Sequence, residues 1–349
     1  MTDVSKSDAI LQGLPNVLND PEALYKDVHS HPELSMQEHR TAGVAAERLK
    51  AAGFDVSEGV GKTEVIGVLR NGDGPTVMLR ADMDALPVKE TTGLPYASSV
   101  TATDHDGNET LAMHACGHDI HVTWLAGTCA LMAAAPEAWR GTLIALFQPG
   151  EETAAGAQAM IGDGLFERFP QPEVILGQHV MPMPAGAGTK ENVIPDDAVI
   201  KLNVRTFDES VRKRLLTSIE RIVKAEAEAS GASRPPEITP PDGYDPVRND
   251  ATGRVRDALQ AHFDDGRVTH SGPASASEDF GCFAVQWHVP SVFWLVGGIN
   301  PTIYAQAERE GRLSELPTNH DPELAPVIHP MLETGVEALV TAACAWLTA

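Results

Sequence analysis

The chain has 349 residues, 42% hydrophobic and 21% charged, which is globular composition and longer than one ordinary core, so two domains or one large domain with an insertion are expected. Lys and Arg number 26 against 49 Asp and Glu, and the resulting net charge of −23 argues against nucleic acid and anionic membrane surfaces as partners. No apolar run reaches the length of a membrane span, the stretch around Asp3, Lys6 and Asp8 does not read as a signal peptide, and the four cysteines form no Cys-x-x-Cys pair, so reduced thiols and a cytoplasmic location are expected.

Residues 21–52 read as helix, interrupted at His31-Pro32, with Asp20 as cap and Pro21 in the first turn. Residues 65–69 and 76–79 read as strands joined by the turn Asn71-Gly72-Asp73-Gly74. The second strand runs into Asp82 and Asp84, which are either functional or solvated loop aspartates. Residues 91–109 are polar and read as surface loop. Then comes His114-Ala115-Cys116-Gly117-His118-Asp119. In an extended piece Cys116 and His118 leave the same face, and a thiolate with an imidazole can ligate zinc or manganese. The bland alternative is a buried cysteine beside a structural histidine. Residues 120–135 form an Ala-rich helix with Asp119 at the N-cap position.

Residues 142–147 form a continuous apolar strand of the buried kind, ending in Gln148-Pro149-Gly150-Glu151-Glu152. Paired glutamates at the end of a buried strand need a cation or a proton. Residues 174–176 repeat the pattern and lead to His179, which alone would be structural. The recurrence of strand followed by ligand candidate is the stronger signal, because a mostly parallel sheet brings such positions to one edge.

After His179 the texture changes. Residues 181–188 are rich in Pro and Gly and read as a hinge. Residues 198–207 alternate as a strand, 209–230 read as an amphipathic helix with Val211, Leu215, Ile219, Ile222 and Val223 turned inward, and Ile238 sits in a short strand. This piece is too small to fold alone. Helix returns from residue 251, Ser275 to Phe280 open another helix with cap-like residues, 291–296 form a buried strand, Thr318 to Pro322 a loop, and 326–348 a closing helix.

Taken together, His31-Pro32-Glu33-Leu34-Ser35, Arg80 to Pro87, His114 to Asp119, Gln148 to Glu152, His179-Val180, Asn192 to Asp196, Ser277-Glu278-Asp279-Phe280 and Asn319-His320 resemble, in order, the M20 family of metal-dependent amidohydrolases, in particular its N-acyl-amino-acid, hippurate and auxin-conjugate hydrolases. The resemblance implies an α/β fold: a zinc-peptidase-like α/β/α catalytic domain with a mixed, mostly parallel sheet (1–188 and 245–349) and an inserted α+β lid (189–244). It implies two divalent metal ions, manganese or zinc with cobalt and nickel also fitting, held by Cys116, His118, Glu152, His179 and His320. Glu151 would be the general base, and Asp84 would orient a ligand imidazole. Asp82 stands where related branches place a metal-binding His and is left out of the ligand set. Asn192 and Arg205 would hold the substrate's α-carboxylate, for which a guanidinium is well shaped.

The chain departs from the family pattern in the lid, which is short and lacks a Gly-Gly-His-Gly-like loop. In the family that loop's His stabilises the oxyanion across a dimer, so the homodimer is left open. The expected activity is hydrolysis of the amide bond of N-acetyl or N-benzoyl amino acids. The alternatives are a metal-binding homologue with weak or no activity, a thiol hydrolase using Cys116 with His118 or His114, and a closed structural zinc site.

Overall fold

The computed structural model describes residues 4–181, 209–229, 249, 252–263, 267–269 and 278–347. Asn192, Arg205, the hinge beyond Met181 and the strands expected over 198–207 and at Ile238 lie outside the described residues.

The N-terminal third runs α1 (Val4–Leu11), α2 (Leu14–Val17), α3 (Asn19–His29), α4 (His39–Ala51), β1 (Asp55–Glu58), β2 (Val65–Asn71), β3 (Thr76–Asp82) and a small hairpin, β4 (Thr101–Thr103) with β5 (Glu109–Leu111). There follow α5 (His118–Ala134), β6 (Gly141–Gln148), α6 (Gly156–Gly162), α7 (Leu165–Arg168) and β7 (Val174–Met181). The rest comprises α8 (Glu209–Ala229), α9 (Thr252–His262), α10 (Gly281–Trp287), β8 (Ser291–Gly297), α11 (Pro301–Glu310) and α12 (Met331–Leu347).

Successive residues of a strand face opposite ways, so an apolar run must be covered on both sides. Along β6, Leu143, Ala145 and Phe147 enter one core while Ile144 and Leu146 enter the other. The first core is filled from α3, α4, α5 and α12, and the second from α6, α7 and α10. The result is an α/β/α sandwich. Gly335 permits the close approach of α12 to α5: a Cβ there would meet the Trp124 ring at 2.1 Å. No described helix is long and apolar enough to cross a membrane.

The six-stranded sheet has the order β1-β2-β6-β3-β7-β8. β3, β6, β7 and β8 are mutually parallel; β2 runs antiparallel to β6, and β1 pairs antiparallel with β2. The turn at residues 71–74 does not close a hairpin, because β6 inserts between β2 and β3 and pairs with both. A strand this apolar is most stable with both edges paired, and local turn chemistry yields to that. The expected loop 91–109 carries β4 and ends where its hairpin partner β5 begins, and the closing helix starts only after Pro330. α8 is present, but Val211, Leu215 and Ile222, expected inward, are 40%, 39% and 48% exposed. The parallel strands put the carboxyl ends at Asp82, Gln148, Met181 and Gly297 along one edge, with the order reversing around β3. Clefts for ligands form at such edges.

Candidate metal centre

α5 starts at that edge. Its N-cap is Gly117, in the left-handed region at φ 82°, where a Cβ would also meet Val180 Cγ1 at 2.4 Å. This turn sets Cys116 and His118 on either side of the glycine. The His118 Nδ1–H donates to the Asp84 carbonyl at 2.9 Å and lies 3.2 Å from Asp84 Oδ1. That fixes the tautomer and leaves Nε2 buried without a hydrogen-bond partner. His179 donates Nδ1–H to the Val180 carbonyl at 2.6 Å, and its Nε2 lies 3.5 Å from Cys116 Sγ. Glu152 Oε1 is also buried without a partner, 3.9 Å from His118 Nε2 and 3.4 Å from His320 Nε2. His320 is tied in by its N–H to the Ala115 carbonyl at 2.7 Å, with φ at 74°. Left-handed non-glycine residues store strain and gather at functional sites; Met36 and Ala154, at φ 63° and 60°, flank the same region.

The five expected ligands are therefore brought together. Donor atoms of Cys116, His118 and His179 lie within 4.8 Å of one another, as do those of Cys116, Glu152 and His320. The two groups share the thiol. Two orphaned buried atoms facing a set of soft and borderline donors fit divalent transition ions and do not fit a closed apolar interior.

The neighbouring groups sort differently. Asp82, His118 and His121 also converge. Yet His121 Nδ1 meets Asp82 Oδ1 at 2.5 Å, and its Nε2 accepts the Val180 N–H at 2.8 Å. Asp82 Oδ2 takes Arg80 Nη1 at 2.5 Å. With both ring nitrogens of His121 and both oxygens of Asp82 engaged, this trio has little left to offer a cation. Asp84 uses one oxygen toward His118 and the other to accept the Ser35 hydroxyl at 2.6 Å and the Glu152 N–H at 3.0 Å. It thus orients an imidazole and a carboxylate-bearing turn together.

Glu151 is buried beside Glu278 and Asp279, their oxygens within 4.8 Å of one another. Burial, and then the Glu278 carboxylate, push Glu151 up to about 10, with His118 pulling the other way. Arg80 partly balances this acidity, at 3.0 Å from Glu278 and 2.9 Å from Asp279. Burial lifts the Cys116 thiol far above its ordinary range, and the same burial, followed by His121, lowers His179. Both shifts oppose a thiolate–imidazolium pair.

Sequence reading did not give roles to Arg80, His121, Glu278, Asp279, Ser35 or Glu38. Arg80 carried a signal: a charge inside an apolar strand must find buried partners. His121 carried a weaker one, three residues after His118 and so on nearly the same helix face. Asp119 is not the cap that was expected. Its Oδ2 lies 2.6 Å from His29 Nδ1, and His29 Nε2 lies 3.1 Å from Glu90 Oε1, a buried triad that spans distant segments. Asp20 does not cap α3, and no side chain at 278–280 caps α10; Asp279 Oδ2 instead accepts the Ala157 N–H at 3.4 Å, in the first turn of α6.

The model of peptidase family M20/M25/M40 matches residues 78–318, more than half of the chain. A hippurate hydrolase of Campylobacter jejuni is 43% identical over 176 residues, covering 48% of this chain and 42% of that protein. The chain thus spans less than half the length of that relative. The N-acetyl-L-cysteine deacetylase of Bacillus subtilis is 30% identical over 349 aligned positions, covering 78% of this chain and 79% of that protein. Among solved structures, the Bacillus subtilis YXEP protein, described as a dinuclear metal-binding peptidase of the M20 family, superposes with a TM-score of 0.69 at 24% identity, covering 95% of this chain and 98% of that one. That likeness carries the fold.

Proposed function

The chain belongs to peptidase family M20/M25/M40, and from that premise we propose that it is a metal-dependent amidohydrolase that cleaves the amide bond of N-acyl amino acids. The observation that supports this reading most is the pair of donor groups sharing Cys116, with His118 Nε2 and Glu152 Oε1 buried and unpartnered beside it. Cys116, His118, Glu152, His179 and His320 would hold two divalent ions, zinc or manganese. Bound there, the ions would acidify water, polarise the scissile carbonyl and draw Glu151 back toward the ionised carboxylate that a base requires.

Glu151 takes a proton from the attacking water and returns it to the leaving amine. Its burial keeps that proton out of bulk solvent. Asp84 holds the His118 ring and the turn that carries Glu151 in one arrangement. Residues 189–244 form the lid in this reading, where Asn192 and Arg205 grip the substrate carboxylate. The curated names of the relatives, hippurate hydrolase and N-acetyl-L-cysteine deacetylase, suggest benzoyl and acetyl amino acids as the first substrates to try.

The 3.5 Å contact of Cys116 with His179 is the one geometric feature a thiol hydrolase would share, although burial of both groups opposes the thiolate–imidazolium pair it needs. Chelation separates the two. Hydrolysis of hippurate or N-acetylcysteine that disappears with chelator and returns with manganese or zinc supports the metal reading, and hydrolysis that survives chelation overturns it. A protein that binds the metal but cleaves nothing from an N-acyl panel would instead be a binding homologue with a defective lid.

A further inference from the structure

Glu38, just before α4, has no part in the reaction proposed above. Its side chain is fully buried, and both carboxylate oxygens are engaged. Oε1 accepts the N–H of Met36 at 2.7 Å and of Gly150 at 2.9 Å, and Oε2 accepts the Thr63 hydroxyl at 2.6 Å. Burying a carboxylate is costly unless donors surround it, and here every donor comes from a different segment or turn.

The Gly150 bond reaches the turn that presents Glu151 and Glu152. Gly150 has φ 55°, and its carbonyl accepts the N–H groups of Ala155 and Gly156, each at 3.1 Å. A Cβ at Gly150 would lie 2.6 Å from Met36 Sδ, so the turn is packed directly on the segment that carries Glu38. A second hold acts two residues later, where the Glu152 N–H donates to Asp84 Oδ2 at 3.0 Å. The same Asp84 oxygen accepts the Ser35 hydroxyl at 2.6 Å. One short segment therefore grips the turn twice, at residue 150 through Glu38 and at residue 152 through Ser35 and Asp84.

We propose that Glu38 is a positioning residue whose carboxylate, by fixing the Gly150 N–H, sets the direction in which Glu151 and Glu152 leave their turn. Its catalytic consequence rests on the roles given to those two glutamates above, but its effect on metal binding can be read without turnover. Burial, and then the nearby Asp84 charge, push Glu38 up to about 7, so a neutral side chain of the same shape is a fair replacement. In Glu38→Gln the amide oxygen keeps both N–H groups and the amide nitrogen donates to Thr63. Glu38→Asp keeps the charge but is one methylene too short to span its donors. Glu38→Ala leaves the Met36 and Gly150 N–H groups unpaired.

The test is calorimetric titration of the metal-free protein with zinc, together with kcat and KM on hippurate or N-acetylcysteine. Glu38→Gln should stay within about threefold of the parent in all three quantities. Glu38→Asp and Glu38→Ala should bind zinc about tenfold or more weakly and lose about tenfold or more in kcat at nearly constant KM, the usual range for groups that orient ligands. Should the alanine variant fail to fold, the aspartate variant decides. Parent-like zinc binding in Glu38→Asp, or a Glu38→Gln variant as impaired as Glu38→Asp, overturns the proposal. If the parent cleaves no N-acyl amino acid, the amidohydrolase reading fails while the zinc titrations still judge Glu38.

Discussion

His118 and Asp119 are adjacent at the start of α5, both buried, and they belong to opposite kinds of site. On the His118 side, Nε2 and the neighbouring Glu152 Oε1 have no hydrogen-bond partner. On the Asp119 side every charge is answered: Asp119 meets His29 at 2.6 Å, and His29 meets Glu90 at 3.1 Å. Burial works against a charged His29, but Asp119 and Glu90 outweigh it and raise its pKa to about 9. A buried charge that is paired holds a fold together, and a buried cluster of Cys, His and Glu donors left unpaired suits a cation. The two sides of one helix start should therefore respond differently to substitution.

The largest effect is expected at Glu152. Glu152→Gln should lose bound metal and hydrolysis together, while the thermal stability of the metal-free protein shifts by no more than about 0.5 kcal/mol, since no hydrogen bond to Oε1 is removed. Metal analysis and melting curves check both halves, and a large loss of metal-free stability would break the contrast. Asp119→Ala should do the reverse. Leaving His29 charged and half-paired costs roughly 3–5 kcal/mol with or without metal, measurable by denaturant unfolding.

The same triad predicts a pH dependence. The folded-state pKa of His29, about 9, lies above its ordinary 6.5, so its contribution is complete below pH 6.5 and is lost as the pH rises through about 9. That contribution is on the order of 3 kcal/mol. Unfolding of the metal-free protein between pH 6 and 9.5 should show the decline, and His29→Gln should flatten it. A parent curve that stays level over this window would show that Asp119 and Glu90 do not hold His29 charged.

On the open side, Glu151→Gln should lower turnover about 10²-fold with metal content unchanged, the worth of a general base. Exchange of the phenotypes of the two glutamates would reverse their roles. The smallest effect belongs to Ser35→Ala, which removes one hydrogen bond to Asp84 and should cost about 1 kcal/mol of stability. A clear fall in kcat beside that small loss would show that Ser35 also steadies the chemistry through Asp84.

The local character of the chain was legible in advance. The strands over 65–69, 142–147, 174–176 and 291–296 and the helices after Asp119 and Glu209 follow from apolar periodicity, which acts over a few residues. Their carboxyl ends, and hence the meeting of Cys116, His118, Glu152, His179 and His320, follow from strand-then-ligand recurrence once the sheet is parallel. Pairing order did not follow. β6 lies between β2 and β3 because its apolar faces and edges all demand cover, a demand no turn sequence reveals.

Nor could the sequence say which buried polar residues find partners. Asp119 looks like a cap, yet a histidine 90 positions away claims it. Asp82 and Asp84 look equivalent, yet Arg80 and His121 occupy the first while Ser35, His118 and the Glu152 N–H share the second. Glu38 looks like one more surface acid before a helix, yet it is sealed against Gly150. Residue type and spacing determine what a side chain can do. Which donors reach it across the interior is decided by long-range packing, and only the tertiary structure holds that information.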